Sequence, residues 1–495
     1  MLSDRMKFGG ANQLAALITL LLIIASPLWA QGDDEPDRLV IVHAGRVITV
    51  SGEEITDATI VIRNGVIEAV GKNVEHPYGK TIDARHLTVM PGMINPMSRF
   101  AVTATGSGIR PHTKMSKGFK TEAWAFEDVV STGYTNLGLF PRGRGMPGRG
   151  MVVHTSGEKP VDLVQEDEGP ILITFNSPGS EKASVKKAFE TAKKEIEKVE
   201  AARKKWEEAK KKAAAAAKAA TKKSAPKPSP KPTGGPAPKP TPKPGETPKP
   251  TPSEKPDTKK PDTKKPDTKK PSVPKEFVPP KINPSYQPLV DLLQKKDGAL
   301  AMVEMGTARY SNRGSSLMEG GIYLHWAEIA KEFELKTSFR IYNRRVTRSS
   351  PFSVQPETDM ELAAEKMGKA KPFVALSPVI NTHSFTRNKY NLGLTLHNAG
   401  CQVVFVPENE NWQGYSRMRD ALTKMTRSGF PRKAAIESVT LNPAKMLGVE
   451  DQLGSIAVGR AANLVFLDGD PLSYGARVQK VMVGGKMVEL KVRID

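Results

Sequence analysis

The sequence predicts an α/β fold, a (β/α)8 TIM-type barrel of parallel strands with helices between them. Three observations predict it. Apolar segments of strand length alternate with helical segments over residues 91–453. Segments with strand-like alternation flank this region, at residues 37–90 and 454–495. A chain of 495 residues is long enough for one such barrel, which takes about 200–250 residues, together with additional parts.

The N-terminal strand region contains the clearest local signal. Residues 58–63 and 66–70 alternate between apolar and polar side chains on either side of Asn64-Gly65. An Asn-Gly pair between two such segments predicts a two-residue hairpin turn. Residues 80–83 and 87–90 then predict two further strand segments.

Residues 1–30 have the layout of a secretory signal peptide. Arg5 and Lys7 precede an apolar run at 14–24, and Ala30 closes the segment. An uncleaved membrane anchor is the alternative, although the apolar run is short for a spanning helix. We therefore predict an exported protein of the periplasm or cell surface, which contacts the membrane only if this segment is uncleaved. The single cysteine, Cys401, can form no internal disulfide, and we interpret it as a small buried thiol.

The positive charge of the chain is concentrated in one segment. The whole chain has 74 Lys and Arg against 53 Asp and Glu, and residues 181–282 supply 29 and 13 of these. The remainder, 45 against 40, is nearly balanced, which argues against a nucleic-acid-binding fold. Residues 181–223 predict a long charged helix with one thin apolar stripe. Residues 224–281, with a repeated Lys-Pro-Asp-Thr-Lys unit, predict a disordered Lys/Pro-rich linker.

Two interpretations of this basic segment remain open. It is either a solvated insertion in a barrel connection or an arm that binds an anionic cell-surface polymer. The stretch 207–276 contains no aromatic residue, which favours the solvated insertion. We expect no specific nucleic-acid partner.

Four motifs carry a resemblance to a known family. They are PGMINPMSR at 91–99, GYTNLGLF at 133–140, AAIESVTLNPAKMLG at 434–448 and GSIAVGRAANLVFLD at 454–468. Together they resemble the amidohydrolase superfamily of metal-dependent hydrolases, and within it the imidazolonepropionase-like branch. The resemblance implies a small β-sandwich, formed by the N- and C-terminal strands, beside the barrel. It also implies hydrolysis of carbon–nitrogen (non-peptide) bonds with zinc or another divalent metal.

The first barrel strand departs from the family pattern. In the family this strand reads Pro-Gly-(Leu/Met)-Ile-Asp-x-His-x-His, and its two histidines bind the metal. This chain has Asn95 at the aspartate position, Met97 at the first histidine and Arg99 at the second. A thioether does not replace imidazole as a zinc ligand, and a guanidinium repels a cation. We therefore predict a divergent member that lacks the metal-binding histidines, and we assign it no cofactor and no metal ligand.

The reacting groups of a barrel enzyme lie at the carboxyl ends of its strands. There the resemblance implies further histidines and an aspartate. This chain offers Glu304 on the fifth strand, Tyr342 and Asn343 on the sixth, and Glu408 after the eighth. We predict Glu408 and Glu304 as catalytic candidates, because paired carboxylates can divide the acid and base roles.

The predicted ligand-binding residues at the barrel mouth are Arg99, His383 and Asn95, and Arg99 there suits an anionic ligand. A rearranged metal site is the alternative, with His383 and His154 beside the two glutamates. The Gly- and Arg-rich segment 141–150 predicts a mobile basic loop, with an anion cradle as the alternative.

The predicted organisation follows from these segments. It comprises a signal peptide at 1–30, sandwich strands at 37–90, the first barrel part at 91–180, the charged helix at 181–223, the linker at 224–281, the second barrel part at 282–453 and sandwich strands at 454–495. Three functional hypotheses remain. The protein is a non-catalytic relative that binds a small molecule or partner, a hydrolase with a rearranged site, or a scaffold that works through its basic arm.

Overall fold

The computed structural model describes residues 38–119, 121, 123–157, 159–175, 179–223, 276–305, 319–342, 356–382 and 387–490. The predicted export segment, most of the predicted linker, Asn343 and His383 lie outside these residues. Within them, no helix is both long and apolar enough to span a membrane.

Strands from both ends of the chain form one seven-stranded sheet, in the order β20-β19-β18-β4-β1-β2-β3. Its strands are β1 (Leu39–Val47), β2 (Ile55–Arg63), β3 (Val66–Lys72), β4 (Lys80–Pro91), β18 (Leu464–Leu467), β19 (Val478–Val483) and β20 (Lys486–Val488). The predicted hairpin is confirmed: Arg63 pairs with Val66, and Asn64 and Gly65 have φ values of 51° and 82°. Two positive φ values match a type I′ turn, which follows the twist of the strands it joins.

The central region consists mainly of parallel strands. Its four-stranded sheet has the order β10-β9-β7-β5, and its seven-stranded sheet the order β17-β14-β13-β12-β11-β8-β6. The strands are β5 (Met93–Ser98), β6 (Thr105–Ile109), β7 (Tyr134–Leu139), β8 (Arg142–Arg149), β9 (Met151–His154), β10 (Val164–Glu166), β11 (Ile171–Phe175), β12 (Ala301–Met305), β13 (Ser338–Ile341), β14 (Phe373–Leu376) and β17 (Gln402–Phe405). A small antiparallel pair, β15 (Asn381–Thr382) and β16 (Lys389–Tyr390), stands apart. β11 to β14 and β17 pair in parallel, as do β5 and β7, so the α/β class is confirmed.

Helices connect and follow these strands. They are α1 (Glu127–Val130), α2 (Pro160–Leu163), α3 (Ser180–Lys223), α4 (Gln287–Leu293), α5 (Glu319–Glu332), α6 (Pro356–Gly368), α7 (Leu392–Asn398), α8 (Trp412–Ser416), α9 (Met418–Arg427), α10 (Arg432–Glu437) and α11 (Leu441–Leu447). The sequence predicts a single helix over 432–447, but the chain leaves the helix between α10 and α11. There the carbonyls of Ser438 and Val439 accept hydrogen bonds from Phe405 N (3.0 Å) and Ile94 N (2.8 Å), which are strand residues.

The predicted basic loop at 141–150 is wrong, because most of it is strand β8. β8 pairs in parallel with β6 and antiparallel with β11, and β9 continues it antiparallel to β7. Glycine makes the close approach feasible: a Cβ on Gly143 would lie 1.6 Å from the Gly106 carbonyl oxygen. The alternation of parallel strands predicted from the sequence is therefore interrupted by one antiparallel segment.

The predicted charged helix is confirmed as α3, and only its N-terminal part is packed into the core. Val185 and Phe189 are fully buried, and the Phe189 ring lies 5.4 Å from that of Phe333. Lys186 Nζ, on the same helix, is 2.8 Å from Glu332 Oε2. From residue 197 to residue 216 the helix is largely exposed, which agrees with its polar composition.

Gly92 tests the packing at the start of the first parallel strand. A Cβ at this position would lie 2.0 Å from Thr135 Oγ1 and 2.3 Å from its Cγ2. Thr135 is buried, so we expect Gly92→Ala to lower the free energy of unfolding by about 1–3 kcal/mol through overpacking. Denaturant unfolding measures this loss. Gly52→Ala, whose Cβ would be 3.5 Å from its nearest neighbour, is the control, and equal losses in the two variants would contradict the packing argument.

Candidate functional site

Three residues from separate strands converge at the carboxyl ends of the parallel strands. Arg99 follows β5, Glu304 lies near the end of β12, and Tyr342 follows β13. Parallel strands end at the same edge, which brings residues distant in sequence together there. Glu304 is only 4% exposed, so its charge requires a partner.

Arg99 provides that partner through a bidentate ion pair. Its Nη1 donates to Glu304 Oε1 at 2.7 Å and its Nη2 donates to Glu304 Oε2 at 2.5 Å. Nη1 also donates to the Tyr342 hydroxyl at 3.1 Å, and that hydroxyl donates to Glu304 Oε1. The guanidinium of Arg340 stacks on the Tyr342 ring, 4.6 Å from its centroid. The cluster is thus a closed hydrogen-bonded unit rather than a set of independent groups.

The protonation states follow from this geometry. Burial alone would raise the pKa of Glu304, but the hydrogen bonds and charge of Arg99 outweigh it and hold that pKa below its ordinary value. Burial alone would lower the pKa of Arg99, but Glu304 holds it above its ordinary value. Burial, followed by the charge of Glu304, raises the pKa of Tyr342, so Tyr342 remains a hydrogen-bond donor.

Asn95, predicted as a ligand-binding residue, lies inside the protein and holds the end of β5. It is 1% exposed, and its Nδ2 donates to the Tyr415 hydroxyl at 3.1 Å. Its Oδ1 accepts from Met97 N at 3.2 Å. Met97 is 6% exposed and belongs to an apolar cluster that includes Phe140 and Met302.

The two predicted catalytic glutamates have different surroundings. Glu304 is buried in the ion pair, whereas Glu408 is exposed on the segment after β17. It is Glu410 that reaches the cluster: both of its carboxylate oxygens accept from Arg99 N at 3.0 Å. Sequence reasoning missed Glu410, and the only available signal was the second glutamate in the segment PENEN.

His154, the alternative metal ligand, lies near the other end of the strands. Because β9 runs antiparallel, His154 pairs with Asn136, near the start of β7. Asn136 Nδ2 lies 3.1 Å from His154 Nδ1 and donates to Gln165 Oε1 at 2.8 Å, and Asn463 Nδ2 donates to Asn136 Oδ1 at 2.9 Å. Burial lowers the pKa of His154 to about 4. The network connects β7 and β9 to Asn463, which precedes β18 of the sheet formed by both chain ends. It holds His154 at the opposite end of the strands from Glu304, so the two side chains cannot bind the same metal ion.

The described strand ends do not fit a divalent cation. Of the positions that resemble the family's first-strand ligands, Met97 packs among apolar side chains and Arg99 places a cation on Glu304. A metal ion there would compete with that guanidinium for the same carboxylate. Within the part of the chain that the structure describes, no three His, Cys, Asp or Glu side chains are grouped so as to hold a metal ion.

Arg99→Met tests the ion pair. It leaves Glu304 buried without its countercharge, so we expect it to lower the free energy of unfolding by about 3–5 kcal/mol. Arg99→Met combined with Glu304→Gln removes both charges, and we expect this double variant to be more stable than Arg99→Met alone. Chemical denaturation of the wild type, both single variants and the double variant gives the coupling energy. Simple addition of the two single effects would contradict the pairing.

His154→Gln tests the buried network through its pH dependence. The unfolded chain binds a proton at His154 below about pH 6.5, whereas the folded chain does so only near pH 4. Stability therefore falls as the pH drops between these values, by about 3 kcal/mol from this residue. We expect His154→Gln to lose that part of the pH dependence in urea unfolding curves. The exposed His86→Gln is the control, and an unchanged pH dependence in His154→Gln would show that its ring is not held neutral.

Comparison with known proteins finds local similarity to an amidohydrolase and to a urease subunit. The model of the family described as "Amidohydrolase family" matches residues 387–488. A 93-residue stretch, 19% of this chain, is 34% identical to "Amidohydrolase tasK" of Hapsidospora irregularis. A stretch of 107 residues is 32% identical to "Urease subunit alpha" of Yersinia pestis and covers 18% of this chain. The matches cover 9% and 18% of those relatives, so the chain spans less than a fifth of either.

The fold is similar to that of a solved amidohydrolase. The crystal structure of an amidohydrolase from Thermotoga maritima superposes with a TM-score of 0.60 at 16% identity, covering 91% of this chain and 100% of that one. At this identity the similarity concerns the fold alone. The family match is thus confined to the C-terminal part of the chain, whereas the similarity of fold extends over most of it.

Proposed function

We propose that this is an exported amidohydrolase-like protein that binds a small polar ligand, and that it has lost the metal-dependent hydrolysis of its family. The observation that carries the proposal is the bidentate pairing of Arg99 with Glu304. Arg99 stands where the family resemblance implies a metal ligand. Its guanidinium supplies a fixed positive charge there, and this charge cannot activate water as a metal ion does.

The proposal includes a closed (β/α)8-type barrel whose mouth holds the ligand. Support comes from the hydrogen bonds of residues 438–439. Ser438 accepts from Phe405, on β17, and Val439 accepts from Ile94, on β5, so this segment bridges the last and first parallel strands. β8 and β9 bridge β7 and β11 in a similar way.

Ligand binding is supported by two buried polar atoms beside the ion pair. Arg99 Nε and Thr174 Oγ1 have no hydrogen-bond partner among the residues described. Thr174 is 5% exposed and lies directly opposite Glu304 in the register of β11 and β12. A buried donor without an acceptor costs about 1–3 kcal/mol, so a ligand that accepts from these atoms gains affinity.

Carbon–nitrogen bond hydrolysis through Glu304 and Glu408 is the second candidate, favoured by the names of the relatives. The pKa of Glu304 argues against it. A carboxylate held below its ordinary pKa is a weak general base, and Arg99 and Tyr342 already occupy its oxygens. Glu408 remains the candidate base of a rearranged site.

Metal analysis combined with hydrolysis assays separates the two candidates. The full-length protein is purified without chelators, its zinc and manganese contents are measured, and it is assayed with amides and lactams, with and without added metal. We expect less than stoichiometric metal and rates equal to the buffer blank. One zinc per chain, with turnover lost in Glu408→Gln but kept in the exposed control Glu75→Gln, would overturn the proposal.

A further inference from the structure

Two segments beside the candidate site carry only positive charge. Residues 99–119 and 139–150 contain seven Lys and Arg residues and no Asp or Glu. The chain outside 181–282 is otherwise nearly balanced, so this is a local excess. The two segments meet as β6 and β8, which pair in parallel.

Part of this charge is neutralised and part is not. Arg149 Nη1 donates to Glu168 at 3.0 Å, Lys114 also pairs with Glu168, and Arg99 pairs with Glu304. By contrast, Arg142 and Arg144 are exposed and form no ion pair with any residue the structure describes. Arg110 and Lys117 are also exposed and form no ion pair among the described residues. The unpaired charge that lies on a strand is therefore on the first half of β8.

The register of β6 and β8 arranges these side chains into one face. Thr105 lies opposite Arg142, and Ser107 lies opposite Arg144, and all four residues are exposed. Residues two apart on a strand point to the same side, with Cα atoms about 7 Å apart. Two guanidinium groups and two hydroxyl groups thus form a polar row, which we call the arginine face.

The arginine face continues the strands that end at the candidate site. Phe140 N donates to Ser98 O at 3.0 Å, and Arg142 N donates to Ala104 O at 3.0 Å. The parallel pair of β5 and β7 therefore extends directly into that of β6 and β8. The face lies beyond the carboxyl ends of β5 and β7, on the side of Arg99.

We propose that the arginine face binds a linear acidic polysaccharide, through carboxylate groups spaced along that chain. Guanidinium forks bind carboxylates in a bidentate manner, and hydroxyls supply further hydrogen bonds. The arginine face is a surface site in addition to the proposed ligand site. Binding there does not depend on whether the protein has lost the metal site.

The composition of the face favours this ligand over other anionic partners. None of its four residues is aromatic, so it lacks the stacking platform of a nucleic-acid site. No exposed large apolar side chain of the described residues lies in 99–119 or 139–150, and a membrane-binding surface would need such anchors. An acidic peptide would extend the sheet at β6, but Gly108 and Gly145 have φ values of 79° and 77°, which break a regular ladder.

Binding of the full-length protein to immobilised polygalacturonate tests this proposal. Arg142→Gln/Arg144→Gln is compared with Lys72→Gln/Lys80→Gln, which removes the same charge from the N-terminal strands. We expect the first variant to bind at least tenfold more weakly at 150 mM salt and with a shallower salt dependence. The control is expected to bind within twofold of the wild type. The wild type and both double variants contain the basic segment 181–282, so its contribution to binding cancels when their affinities are compared.

Three further probes show whether the arginine face binds a different kind of ligand. Fully methyl-esterified polygalacturonate is neutral, and we expect no binding that depends on Arg142 and Arg144. If the arginine variant weakens binding to polyglutamate or to anionic vesicles but not to polygalacturonate, the proposal is wrong. The proposal is also overturned if both double variants weaken binding to polygalacturonate equally, or if neither weakens it. Zinc-dependent turnover would overturn the proposed function and leave this result unaffected.

Discussion

A partly buried guanidinium must be neutralised where it lies, and Glu304 does this for Arg99 at the carboxyl ends of the parallel strands. The pair joins the end of β5 to β12, two strands that belong to different sheets. It also fixes the Tyr342 hydroxyl, which bonds to both partners. The strand ends are thereby held together by charge where the family resemblance implies a metal.

The direction of β8 and β9 is the second constraint, and it decides what lies at each end of the strands. Running antiparallel, this segment carries His154 toward the amide network of Asn136 and Asn463. The same segment begins at the opposite end with Arg142 and Arg144. The antiparallel direction of this segment therefore places a partly buried histidine at one end of the strands and two exposed arginines at the other. The only signal in the sequence is a run of glycines that also suits a loop.

The sequence was sufficient wherever the signal was local. Asn64-Gly65 predicts its hairpin because two consecutive positive φ values suit these residues, and α3 follows from composition and charge spacing. The pairing of Arg99 with Glu304 could not be predicted, because it depends on the distance between strands about 200 residues apart in sequence. Glu410 was missed for a similar reason, since side-chain directions outside a regular strand have no fixed period.

The connection between β11 and β12 has a consequence for the entropy of the chain. These strands are direct neighbours, yet residues 176–300 separate them, including all of α3. A strand–helix–strand crossover needs about 30 residues, so this connection is about four times longer than necessary. Closure entropy grows only with the logarithm of length, so even a fully flexible connection of this size costs only about 1.2 kcal/mol more. The parallel sheet therefore sets almost no upper limit on the length of this insertion, which can vary while the positions of Glu304 and Thr174 remain fixed.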